Sequence, residues 1–230
     1  VITFPVLIEE DTKKRNIFIS SNKNLNYSKE ELIKKAITLH TKGDINKAMQ
    51  YYMKLINDGI DDPIILSNYG IILKSHGKLK EAENYIRKAI NIKPSYADAL
   101  SNLGGVLEEL GRYEEAIDVT KKSIELNTNN ALTYNTLGLL YKDIHKIEEA
   151  EICIRKAINI KPDYADALLN LGGILINQYK FAEAKKTTKL AIKYQPNYEL
   201  AYLNLGKISL ELNNLKKAEE YTRKAIEINS

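Results

Sequence analysis

Residues 86–107 read IRKAINIKPSYADALSNLGGVL, and residues 154–175 read IRKAINIKPDYADALLNLGGIL. The two stretches agree at 19 of 22 positions and lie 68 residues apart. The phrase RKAI returns at 223–226, a further 68 residues on. Self-similarity at a fixed spacing marks a chain made of stacked copies of one small unit. Halving the spacing to 34 residues brings the rest of the chain into phase. Six units then start at Lys29, Pro63, Ala97, Ala131, Ala165 and Glu199.

With positions numbered 1 to 34, the choices at several of them have steric reasons. Position 8 is Ala36, Gly70, Gly104, Gly138, Gly172 and Gly206, and position 20 is alanine in all six units. Side chains this small let two paired helices approach closely. Position 15 is Gly43, Gly77, Gly111 and Asn213, residues that tolerate the left-handed conformation ending a helix. His145 and Tyr179 stand there in units four and five and predict strained or differently closed turns. Pro94, Pro162 and Pro196 at position 32 stop the second helix. Asp61, Ser95, Asn129, Asp163 and Asn197 at position 33 are the expected caps of the following helix. Ser28 with Glu31 has the spacing of a capping box.

A 34-residue period with Leu-Gly in its first half and Ala in its second is identified as the tetratricopeptide repeat. The resemblance covers residues 29–230 and implies an all-α fold. Six helix-turn-helix units would form a right-handed superhelical solenoid (an alpha-alpha superhelix). One helix pair cannot bury its apolar face alone, so stability in such arrays comes from neighbours. The first unit, with Lys35 in place of an apolar residue at position 7, reads as an end cap. Residues 1–28 form an N-terminal arm outside the repeats, with two strand-like runs, Ile2–Ile8 and Ile17–Ile19.

Composition excludes several classes of function. The 34 basic and 30 acidic residues leave a net charge of only +4, and they interleave along the second helices. The pairs Glu83–Arg87, Asp118–Lys122, Glu151–Arg155 and Glu219–Arg223 place an acid four residues before a base. That pattern is a solvated face and not a nucleic-acid stripe. No apolar run approaches the roughly 20 residues that span a bilayer. The single Cys153 excludes an internal disulfide and fits a reducing compartment, so a cytoplasmic protein is expected. His40, His76 and His145 fall at positions 12, 14 and 15 of different units and do not converge. With no metal-ligand spacing, phosphate loop or nucleophile elbow, neither an enzyme, a metal nor a cofactor is expected.

In tetratricopeptide arrays the first helices line a concave groove through positions 2, 5, 6, 9, 12 and 13. Position 6 is Lys34, Asn68, Asn102, Thr136, Asn170 and Asn204. An asparagine amide can pair with both the N–H and the C=O of an extended peptide. Repeated along the array, it resembles the asparagine ladder of the O-linked N-acetylglucosamine transferases. Asparagine is also common at this position across the repeat family, where it orients neighbouring repeats, and both readings stay open. Position 5 runs Ser67, Ser101, Asn135, Leu169, Leu203, and position 12 runs Lys74, Glu108, Lys142, Ile176, Leu210. The early groove is therefore polar and the late groove apolar. Leu169, Ile176, Leu203 and Leu210 form either an apolar anchor for a ligand or packing for the next helix. Gly105 and Gly173 at position 9 leave room for ligand side chains. The lysine and asparagine spacing of the clamp that some family members use for acidic chaperone tails is absent.

The resemblance implies a protein-protein interaction scaffold that binds an extended peptide in this groove. Two alternatives remain. The phrases TFPV (3–6), SKEELIKKAITLHTKGDINKAMQYY (28–52) and SNYGIILKSHGKLKEAE (67–83) are similar to cyanobacterial tetratricopeptide proteins. In that group the array often precedes a transferase domain, frequently a sulfotransferase, which would make this chain a substrate-recruiting module. The other alternative is a self-assembling unit: Tyr221, Ile226 and Ile228 leave an apolar face on the sixth repeat that could join two copies.

Overall fold

The computed structural model describes residues 28–229. The expected N-terminal arm, apart from Ser28, lies outside them. The described residues form twelve helices and no strand. The chain divides into two compact units, Val1–Gly59 and Ile60–Ser230.

The first unit holds one helix pair, α1 (Lys29–Thr41) and α2 (Ile45–Asn57). The capping box opens α1 as expected. The Glu31 N–H donates to Ser28 Oγ at 3.2 Å, and the Ser28 N–H donates to Glu31 Oε2 at 2.7 Å. Ala36, Ala48 and Tyr52 have no exposed surface.

The second unit holds five pairs. They are α3 (Pro63–Ser75) with α4 (Leu79–Ile92), α5 (Ala97–Glu109) with α6 (Tyr113–Leu126), and α7 (Ala131–Asp143) with α8 (Ile147–Ile160). Then follow α9 (Ala165–Asn177) with α10 (Phe181–Tyr194), and α11 (Glu199–Glu211) with α12 (Leu215–Ile228). Each second helix also packs against the first helix of the next pair: α4 on α5, α6 on α7, α8 on α9 and α10 on α11. The core is therefore continuous from pair to pair, the arrangement of a helical solenoid.

Close approach within a pair depends on position 8. A Cβ at Gly70 or Gly138 would lie 2.5 Å from Cγ1 of Ile86 or Ile154, closer than any methyl can sit. At Gly104 and Gly172 the opposing atom is instead the hydroxyl of Thr120 or Thr188. The opposing residue is isoleucine in repeats two and four and threonine in repeats three, five and six, where the Thr222 hydroxyl lies 3.0 Å from the point over Gly206.

At position 15 the turns take the first of the two expected forms, strained rather than differently closed. His145 and Tyr179 adopt φ of 62° and 59°, beside 73° and 72° at Gly77 and Gly111 and 55° at Asn213. The closing bonds are also alike. The Gly111 N–H donates to Glu108 O and Arg112 N–H to Leu107 O, as His145 N–H does to Lys142 O and Lys146 N–H to Tyr141 O. The turns are thus closed identically, and the non-glycine residues carry the strain. The caps correct an expectation. The capping residues sit at position 34, one later than expected: Asp62 Oδ1 accepts from Ile64 N–H and Ile65 N–H, and Asn130 Oδ1 accepts from Thr133 N–H. Only the last residue before the helix reaches those orphan N–H groups. Where that residue is Tyr96, Tyr164 or Tyr198, no side-chain cap is made.

Candidate functional site

The asparagines of position 6 are half-buried on the first helices of the second unit. Two of them bridge repeats. Asn102 Nδ2 donates to Ser67 Oγ at 3.0 Å, and Asn170 Nδ2 donates to Asn135 Oδ1 at 3.0 Å. In both, position 6 of one repeat reaches position 5 of the repeat before it, 35 residues earlier. Asn135 is buried in this bond and is not open to a ligand. Thr136 turns its hydroxyl to its own helix, donating to Leu132 O. Asn68 stands at the same register in α3. For Asn204 the residue 35 positions earlier is Leu169, a side chain with no acceptor, and Asn204 makes no side-chain hydrogen bond among the described residues.

The ladder is therefore partly an inter-repeat link. Asn102 and Asn170 each spend one N–H on a neighbour and keep the carbonyl oxygen and the second N–H. The neighbour's acceptor holds each amide in one orientation.

The apolar group separates into two parts. Leu169 and Ile176 are 7% and 4% exposed, packed with Ala201 and with Ile208 respectively. They belong to the inter-repeat core, the packing alternative of the two readings. Leu203 and Leu210 are exposed by 39% and 56%. A 35-residue step on a first helix lands on the adjoining repeat's face, so a leucine there is covered whenever that repeat is present.

Beside the ladder runs a charged belt that sequence reading left scattered. Lys74 pairs with Glu109 at 3.1 Å, and Lys142 lies 3.6 Å from Asp143. Lys74 Nζ also occupies the space over Gly105, where a Cβ would come within 3.3 Å of it, so that gap is filled from within. Gly173 has nothing within 4 Å of the equivalent point and stays open. Burial pushes the Glu108 carboxyl above the usual range, and the Asp143 carboxylate adds to the rise, against the opposing pull of Lys74 and Lys142. Further along, Ile176, Asn177, Tyr179, Lys207 and Glu211 line a depression of about 250 Å³. The signal for this belt was the 35-residue spacing, which joins position 12 of one repeat to position 13 of the next.

The second helices hold more than a solvated face. Arg87 bonds Glu83 of its own helix at 2.9 Å and Glu115 of the next repeat at 2.5 Å. Arg112 also pairs with both Glu83 and Glu115. Two repeats on, Arg155 bonds Glu151 at 2.8 Å and Glu183 at 2.6 Å. Gln178 Nε2 donates to Glu151 Oε2 at 2.9 Å. Burial alone would raise Glu151, but the Gln178 and Arg155 donors outweigh it and hold the carboxyl below its usual value. Cys153 is half-buried, and burial pushes its thiol up to about 11, which leaves it a poor nucleophile at neutral pH. No group of His, Cys, Asp and Glu among the described residues could hold a metal ion. No described helix is long and apolar enough to cross a membrane.

Comparison with known proteins agrees with this architecture. A family model described as tetratricopeptide repeat matches residues 95–163. A second model of the same description matches residues 32–57, 65–96, 165–198 and 200–230, more than half of the chain. No curated protein matches the chain. Among solved structures, MamA is 25% identical with a TM-score of 0.60, covering 70% of this chain and 94% of its own. YrrB, described as a tetratricopeptide protein with an unusual peptide-binding site, is 25% identical with a TM-score of 0.57, covering 77% and 91%. PilF of Pseudomonas aeruginosa, 18% identical, shares the fold with a TM-score of 0.71 over 84% of this chain and 88% of its own.

Proposed function

This chain belongs to the tetratricopeptide repeat family, and on that premise we propose that it is an interaction scaffold whose first-helix face holds an extended segment of a partner protein. The observation that carries the reading is the row of half-buried amides. Asn102 and Asn170 are oriented by their neighbours and retain hydrogen-bonding capacity, and Asn204 retains all of it. An extended peptide presents N–H and C=O groups on a regular pitch, which a row of amides can match without reading side chains. The open space over Gly173 and the depression formed by Ile176, Asn177, Tyr179, Lys207 and Glu211 would receive side chains of the bound segment. The peptide-binding site named for YrrB supports the same use of a related array.

The test is capture of peptides from an unbiased library. The wild-type chain is compared with Asn204→Ala and with the triple variant Asn102→Ala/Asn170→Ala/Asn204→Ala at matched stability. Because Asn204 links no repeats, its replacement leaves the fold intact. Loss of one or two peptide hydrogen bonds, worth about 1 kcal/mol each, weakens capture by roughly tenfold. Equal capture by wild type and the triple variant would assign the amides to repeat packing alone.

A further inference from the structure

On the reading that the first-helix face holds an extended segment, we infer that this segment is basic and apolar in turn, with an aliphatic and then a cationic side chain at every third residue.

The order is written at position 2 of the repeats. That position is Glu30, Ile64, Asp98, Leu132, Asp166 and Leu200, acid and aliphatic in strict alternation. It lies four residues before position 6, so each of these side chains stands one helical turn from the ladder, on the same helix face. In the second unit Ile64, Leu132 and Leu200 are exposed by 41%, 52% and 52%. The helix dipole accounts for an acid in the first turn of α5 and α9. It does not account for an exposed aliphatic group in the first turn of α3, α7 and α11. Asp98 is exposed and makes no side-chain hydrogen bond or ion pair among the described residues. The Tyr198 hydroxyl donates to Asp166 Oδ1 at 2.5 Å, which fixes that carboxylate and leaves Oδ2 for a cation.

Charge gives the sign of the occupant. The first helices of the second unit carry three lysines, Lys74, Lys142 and Lys207, against seven acidic residues. The second helices of the same unit carry fifteen basic residues against thirteen acidic ones, and the whole chain stands at +4. The first-helix face is therefore net acidic on a net basic protein, which draws in a cationic segment and repels an acidic one. Spacing gives the register. First helices of successive repeats are neighbours, joined by Asn102 to Ser67, Thr133 to Ser101 and Asn170 to Asn135. Packed helices lie about 8–10 Å apart. A polyproline II segment advances about 9 Å in each turn of three residues, so every third side chain faces the same way. Its backbone makes no internal hydrogen bonds, which leaves N–H and C=O groups for the amides of position 6. One turn of ligand per repeat then sets basic side chains at Asp98 and Asp166 and apolar ones at Ile64, Leu132 and Leu200.

The experiment is fluorescence anisotropy of a labelled serine peptide with leucine, lysine, leucine, lysine and leucine at every third residue, an order that reads the same from either end. It is compared, on the whole chain, with the same peptide carrying glutamate for lysine and with a shuffled peptide of equal composition. The lysine peptide binds roughly tenfold more tightly than the glutamate peptide, the difference made by two exposed charge contacts. Asp98→Asn/Asp166→Asn removes that preference with an unchanged circular dichroism spectrum, and Leu132→Ser weakens both peptides alike by severalfold. Equal binding of the lysine and glutamate peptides overturns the proposal. So does equal binding of the shuffled peptide, or an undiminished preference in Asp98→Asn/Asp166→Asn. If library peptides without this spacing are captured and the triple asparagine variant loses them, the groove reading stands and only this inference falls. If neither library nor designed peptides bind, both fall.

Discussion

His145 is held at φ 62°, a conformation that brings Cβ against its own following carbonyl. For a residue other than glycine this costs about 1–2 kcal/mol. The array closes every one of these turns with the same two backbone bonds, so the strain is imposed by stacking. The imidazole is exposed and holds nothing in place. His145→Gly should therefore gain about 0.5–1 kcal/mol, the relieved strain less the extra chain entropy of glycine. Urea unfolding checks this through a higher midpoint at unchanged slope. Tyr179 bears the same strain but lies edge-on to Phe181, with ring centroids 6.0 Å apart, and lines the depression beside Lys207. Its replacement would forfeit that contact, which is why His145 is the cleaner site. The exception to the glycine rule was visible in the sequence. The way the turn closes was not, because φ depends on where the second helix must go.

Helix against helix, the array alternates. Arg87–Glu115 and Arg155–Glu183 clasp repeat two to three and repeat four to five, and the Asn102 and Asn170 bonds span the same two joints. Between repeats three and four the polar contact is the buried bond from Thr133 Oγ1 to Ser101 Oγ at 3.1 Å. The arginine clasps are partly solvated, so each contributes little. A double-mutant cycle on Arg155→Ala and Glu183→Ala should give a coupling of about 0.5–1 kcal/mol. Raising salt to about 1 M, where the screening length falls to about 3 Å, should remove most of it. A coupling that persists in high salt would point to packing of the arginine stem instead of charge. The acid-base pairs four apart were legible from spacing within a helix. The partner 28 residues on belongs to another helix, and only stacking brings it near.

At the scale of the whole second unit, charges from three repeats converge. Lys74 comes from repeat two, Glu108 and Glu109 from three, and Lys142 and Asp143 from four. Glu108 is left with its carboxyl raised, chiefly by burial and then by Asp143. A folded-state value above the unfolded one means the unfolded chain gives up its proton first. Stability is then lost as pH rises from the unfolded carboxylate value of about 4.3 through the raised folded one. Glu108→Gln mimics the protonated form. It should melt at a higher temperature than wild type at pH 7 and match it below about pH 4. An equal melting temperature at both pH values would show that solvent or Lys74 already neutralises the group.

The sequence by itself determined the unit, its phase and its twelve helices, because a 34-residue period of small, apolar and turn-forming residues encodes local structure and near-neighbour packing. It also marked the asparagine register at position 6. The tertiary structure alone decided how those side chains are used. Leu169 and Ser101 occupy the same position in their repeats, yet Leu169 is core against Ala201 while Ser101 accepts a hydrogen bond from Thr133, because the next repeat presents a different side chain to each. Asn102 bonds Ser67 for a similar reason: the partner sits 35 residues away, at a distance in sequence where only the stacking of repeats sets what meets what.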